Sequence, residues 1–152
     1  MENQERTMFD VVDKWGKDVA ERGFVQIPMY LLNINRFLNS ENKLSPIEIL
    51  VLFQLVGNWW KKDENPYPSI ASLASRCGVS TRQVQRSINN LNGIGLIERT
   101  NRKRGKMITS NSYNLKPLVK FLKEISDNFP NEYPRKVTIE DKSKLTSILL
   151  NK

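Results

Sequence analysis

The chain has 152 residues, enough for one compact domain with appendages and a real core. It carries 24 basic and 16 acidic side chains, a net +8, with one cysteine and no histidine, which removes the commonest general base and metal ligand and excludes an internal disulfide. No stretch approaches the roughly 20 apolar residues of a transmembrane helix, the acidic, polar N-terminus is no signal peptide, and the lone cysteine fits a reducing cytoplasm.

From Met1 to Arg22 the chain is polar at first, then Met8, Phe9, Val11, Val12 and Trp15 recur at helix-like spacing. This predicts a helical extension with Trp15 packed onto the core in preference to a partner subunit. Phe24 to Ile27 forms a short extended piece stopped by Pro28. Tyr30, Leu31, Ile34, Phe37 and Leu38 keep helical spacing across Met29 to Leu38. Ser45-Pro46-Ile47-Glu48 is a capping box with proline at the first helical position, opening a helix from Ile47 to Trp60. That helix is apolar nearly all round and therefore central. Glu48 is better explained as a cap than as a catalytic acid. Trp59-Trp60 before Lys61-Lys62 fits either a core or interface anchor or base stacking beside phosphate contacts.

The best-signalled region follows. Ser69 caps a short helix in which Ile70, Leu73, Ala74 and Cys77 keep the i, i+3, i+4, i+7 pattern, and Gly78 suits the left-handed residue that ends it. Ser80 then caps a second helix, with Gln83 completing a capping box and Val79 and Val84 placed for a hydrophobic staple. Val84, Ile88 and Leu91 form its apolar stripe. Arg82, Arg86 and Asn89 fall on the opposite side, with Gln85 at its edge. Arg, Gln and Asn are the side chains that pair bidentately with guanine or adenine edges; the bland alternative is a solvated polar face. Asn92-Gly93-Ile94-Gly95 breaks the helix. Leu96 to Thr100 is predicted as a strand, Asn101 to Gly105 as a basic turn, and Lys106 to Leu115 as the returning strand. Lys116-Pro117 opens a last helix through about Ile125. Phe129-Pro130 to Pro134-Arg135 is predicted as a linker, and Ser143 to Leu150 as a short helix.

Charge is unevenly spread. Residues 82–115 carry seven basic groups against one acidic, +6 of the net +8. Basic charge focused on one structural unit is the footprint expected for a polyanion. A membrane-binding surface would want those cations beside large apolar residues on an amphipathic helix, whereas Arg102-Lys103-Arg104 falls in a hairpin turn.

The stretch from Pro68 to Leu115, with its words SIASLASRCGVSTRQVQRSINNL and NGIGLIERTNRKRGK, resembles the winged helix-turn-helix domain of prokaryotic, phage and plasmid proteins. That group includes small transcriptional regulators and the DNA-binding domains of replication initiators. Trp15-Gly16, Gly23 to Pro28 and Tyr113-Asn114-Leu115 extend the likeness to roughly residues 14–125. The resemblance implies a mainly α fold with a small β-hairpin or three-stranded sheet, in which Phe24 to Ile27 pairs with the wing. The expected organisation is an N-terminal helical extension at 1–22, the winged domain at 23–126 and a C-terminal tail at 127–152.

It also implies that the second motif helix enters the major groove. Arg82, Gln85, Arg86 and Asn89 are then candidates for base contacts, and Thr81 with the amides around Ser80 for phosphate. Ser69 and Ser72 would meet the flanking backbone. Arg99, Arg102, Lys103, Arg104 and Lys106 would follow phosphates or enter the minor groove. The expected partner is double-stranded DNA, with a homodimer built by flanking helices and a possible protein contact through the tail. No membrane partner and no cofactor are expected, and the place of action is the cytoplasm, with the nucleoid. Cys77 lies on an apolar helix face with nothing to activate it, no cluster has zinc spacing, and Gly93-Ile94-Gly95 is too short for a phosphate loop. Catalysis is not expected. The short tail favours a regulator over an initiator, and the cationic wing argues against a winged helix that binds protein.

Overall fold

In the computed structural model, which describes residues 10–105, 107–108 and 110–133, the described residues open on helix α1 (residues 10–15), followed by α2 (Lys17–Glu21). Gly16 separates them with φ 83°, a conformation that glycine adopts without steric cost. The bend leaves Ala20 as the buried residue of α2 and Trp15 on the outside, 69% exposed, so the expected core position of Trp15 is not found.

Helix α3 (Met29–Leu32) is shorter than the apolar spacing predicts. Asn33, at φ −111° and ψ 29°, breaks it, and Ile34–Arg36 continues as a 3-10 turn. The tighter turn still buries Leu31, Ile34, Phe37 and Leu38. Spacing alone does not distinguish the two geometries here, because the apolar positions serve both.

Helix α4 (Pro46–Gly57) begins where the capping box places it. The Ser45 hydroxyl accepts from the Glu48 amide at 3.2 Å, and the Glu48 carboxylate accepts from the Ser45 amide at 2.8 Å. It ends at Gly57, not Trp60: Asn58 has left helical geometry, and its side chain donates to the Gln54 carbonyl at 2.7 Å. Trp59 is half-buried against the core and Trp60 lies outside, 81% exposed. Val51, Leu52 and Leu55 of α4 are fully buried, and α4 packs on both α5 (Ile70–Cys77) and α6 (Thr81–Gly93). Each such buried side chain contributes about 1.5–3 kcal/mol.

After α6, Leu96 and Ile97 are buried and the strands begin at Glu98. Strand β1 (Glu98–Thr100) pairs antiparallel with β4 (Ser112–Asn114), with Arg99 opposite Tyr113. Further out, β2 (Lys103–Arg104) pairs with β3 (Met107–Ile108), with Arg104 opposite Met107 and Gly105 in the turn at φ 65°. Lys103 and Arg104 therefore stand on a strand and not in the turn.

The expected third strand, Phe24 to Ile27, makes no strand pairing; it lies against Gly57, whose added Cβ would meet Val25 at 3.3 Å. The edge of the hairpin is met instead by the segment before α5. The Tyr113 amide donates to the Pro66 carbonyl at 2.9 Å, and the Ser110 hydroxyl to the Tyr67 carbonyl at 3.2 Å. Pro66 and Pro68 have no amide hydrogen to give back, which keeps this contact from growing into a ladder.

Helix α7 (Lys116–Asn128) buries Leu118, Phe121 and Ile125 and packs on α3. The segment expected as a linker folds back on the body as far as it is described. Phe129 is buried, and the Tyr30 hydroxyl donates to its carbonyl. Tyr133 stands edge-on to Tyr30, and Arg36 pairs with Glu132 and Tyr133. The aromatic positions Tyr30, Phe37, Phe129 and Tyr133 close this end of the core. The helix expected at Ser143 to Leu150 and the apolar pair Met8-Phe9 lie outside the described residues. The architecture is mainly α with a small antiparallel hairpin, the arrangement of a winged helix-turn-helix.

Candidate nucleic-acid interface

Three backbone devices build this surface. Ser69 caps α5: its hydroxyl accepts from the Ser72 amide at 3.0 Å and donates to the Ser72 hydroxyl at 2.9 Å. At the other end Gly78 is left-handed at φ 67°, and the Val79 amide returns to the Ala74 carbonyl at 3.1 Å, satisfying an end carbonyl of the helix. Ser80 then opens α6. Its hydroxyl accepts from the Gln83 amide at 3.2 Å, and the Gln83 side chain accepts from the Ser80 amide at 3.1 Å. Gly78, Val79 and Ser80 thus join two capped helices across a tight turn.

With the start of α6 fixed, the 100° step of the helix decides what each side chain faces. Val84, Ser87, Ile88 and Leu91 are buried against the body, and the Ser87 hydroxyl is satisfied by the Gln83 carbonyl at 2.9 Å. Thr81, Arg82, Gln85, Arg86 and Asn89 are exposed. Arg82, Gln85, Arg86 and Asn89 follow the i, i+3, i+4, i+7 rule and share one stripe. The amides at the open N-terminus of α6 lie beside Ser80 and Thr81, where a helix favours anions.

The wing adjoins the far end of that stripe. Arg99 of β1 donates from its guanidinium to the Asn89 side-chain oxygen, Oδ1, at 2.8 Å, while its own amide donates to the Asn92 side chain at 3.0 Å. Arg102 lies over the Tyr67 ring, 4.0 Å from its centroid, a cation–π contact that leans the start of the wing on the segment before α5. The backbone of Lys103 and Arg104 continues outward on β2. Lys106 lies outside the described residues. Ser69 and Ser72 are engaged with each other at the start of α5.

Three residues of this surface were missed in the sequence. The only sequence signal for Tyr67 is its place between Pro66 and Pro68, just before the Ser69 cap, which marks an anchored aromatic. Asn92, a helix breaker by sequence, also holds the Arg99 amide. Asn90 donates to the second carboxylate oxygen of Glu48, so the cap of α4 also holds α6. No local pattern could have revealed that contact, which spans 42 positions.

Burial pushes the Cys77 thiol above its usual range, which favours the inert form. Among the described residues no group of three His, Cys, Asp or Glu side chains is placed to hold a metal ion, and no helix is long and apolar enough to cross a membrane.

Residues 41–97 match the model of a family described as a helix-turn-helix domain. The match spans α4, α5 and α6 and stops where the wing begins. A helix-turn-helix domain at this place points to DNA as the partner. No curated protein matches the chain in sequence.

Proposed function

We propose that this protein binds double-stranded DNA sequence-specifically, with α6 in the major groove and the β1–β4 and β2–β3 ribbon along the flanking phosphates, and that it acts as a transcriptional regulator. The observation that carries this is the stripe Arg82, Gln85, Arg86 and Asn89, exposed on a helix whose opposite side is fully buried. These side chains match the hydrogen-bonding patterns of guanine and adenine in the major groove. Thr81 and the amides at the start of α6, Ser69 and Ser72 at the start of α5, and Arg99, Arg102, Lys103, Arg104 and Lys106 of the wing take phosphate or sugar contacts, which fix register without reading sequence.

The working form is a homodimer, so that two copies of α6 meet half-sites about one helical turn apart. Support comes from an open apolar groove of about 980 Å³ lined by Phe24, Val25, Val56, Trp59, Leu118 and Val119, among others. Its lining takes nothing from α5, α6 or the wing, so association and DNA binding do not compete. The function is binding, with no catalytic step.

The alternative is a replication initiator, for which a monomer on direct repeats is expected. Footprinting on the source genome at physiological salt, with light scattering of the pure protein, separates the two. A dimer protecting a palindrome near a promoter supports the regulator. A monomer spread over direct repeats supports the initiator, and no protection at any salt overturns both.

A further inference from the structure

We infer that Arg99 sets the base preference of Asn89, restricting it to a keto base edge, guanine O6 or thymine O4. This rests on the DNA binding proposed above and specifies what one position of that site reads. A free asparagine amide reads adenine with both ends: its NH2 gives to N7 and its carbonyl accepts from the N6 amino group. In this structure the Asn89 carbonyl is taken by the Arg99 guanidinium at 2.8 Å. With its side-chain oxygen turned to Arg99 and one of that oxygen's two lone pairs occupied there, the amide offers the groove chiefly its NH2, a donor. Guanine, with acceptors at N7 and O6, and thymine, with O4, satisfy a donor. Adenine meets it with one acceptor beside its own amino group, so one hydrogen bond is lost and two donors confront each other.

Arg99 is well placed to keep this arrangement. Its amide is held by the Asn92 side chain at 3.0 Å, one turn along the same helix. Its strand position is fixed opposite Tyr113, which is fully buried. The backbone of Arg99 is thus tied to α6 and to the core before its side chain reaches Asn89. The neighbouring Asn90 is held on the body side by Glu48, so α6 is fixed from two directions near its third turn. Arg99 acts as a positioning residue, and its remaining N–H groups stay available for phosphate.

The test is selection from a randomised duplex library with the wild type, Asn89→Ala, Arg99→Ala, Arg99→Met and the Asn89→Ala/Arg99→Ala pair, each checked for an unchanged melting temperature. The position facing Asn89 is the one whose preference Asn89→Ala flattens. The wild type should enrich guanine or thymine there. Both Arg99 variants should raise adenine at that position by about fivefold or more, the lower end of a bidentate contact, and leave other positions as they were. The double variant should match Asn89→Ala at that position. If the Arg99 variants bind all sequences more weakly with that preference intact, Arg99 is only a phosphate contact and the inference falls. If the wild type enriches no sequence, the DNA reading falls and takes the inference with it.

Discussion

Arg86 and Lys103 represent two kinds of contact that the same basic surface can make. Arg86 stands mid-stripe on α6, exposed and with two turns of helix beneath it. Arg86→Ala should lower discrimination between the preferred site and a scrambled duplex by about 1–3 kcal/mol. Lys103→Ala should weaken both duplexes alike, since a phosphate contact carries no sequence information. Anisotropy titrations of both variants on both duplexes check the pair together. Tyr30 and Tyr113 make a different residue-scale prediction. Burial pushes both hydroxyls above their usual range, for Tyr30 with help from the Glu132 carboxylate. The unfolded chain then loses these protons first as pH rises, so their contribution is complete below about pH 10 and is lost through and above it. Urea denaturation at pH 8 and above pH 10 should show a smaller alkaline loss for the Tyr30→Phe/Tyr113→Phe variant than for the wild type.

At the scale of elements, helix starts were legible and long-range neighbours were not. Ser45-Glu48, Ser69-Ser72 and Ser80-Gln83 each act within four residues, so sequence order already contains the geometry. The stripe on α6 followed from the cap and the helical step. The third-strand position was not legible, because Tyr113 selects its partner 47 positions away in sequence and the prolines there suppress the usual strand alternation. Trp15 was misplaced for a similar reason: apolar spacing gives a helix a face, but the bend at Gly16 decides where that face points. The Arg99–Asn89 contact joins two side chains each assigned separately to DNA, and nothing local couples them. Caps yield a direct test. Ser80→Ala should cost about 1 kcal/mol of stability. Because the same cap sets the start of α6, the variant should also lose DNA affinity more than Ser69→Ala does. Chemical denaturation and anisotropy measure the two effects.

For the whole molecule, the fold separates two surfaces. α5, α6 and the wing present cations and amides, whereas α3, the end of α4 and α7 border an apolar groove. With +6 of the net +8 lying in residues 82–115, association should depend strongly on salt. If about six phosphates are neutralised, the logarithm of affinity should fall with the logarithm of salt at a slope near −5. Removing Lys103 should reduce that slope by about one.

Whether α6 reads sequence is decided by titrating the wild type and Arg86→Ala against one protected duplex and its scrambled counterpart at a single physiological salt concentration. Preference for the protected duplex should fall by about 5- to 150-fold in the variant, with affinity for the scrambled duplex reduced no more than by the loss of one phosphate-like charge. Equal preference in wild type and variant would remove α6 from the groove.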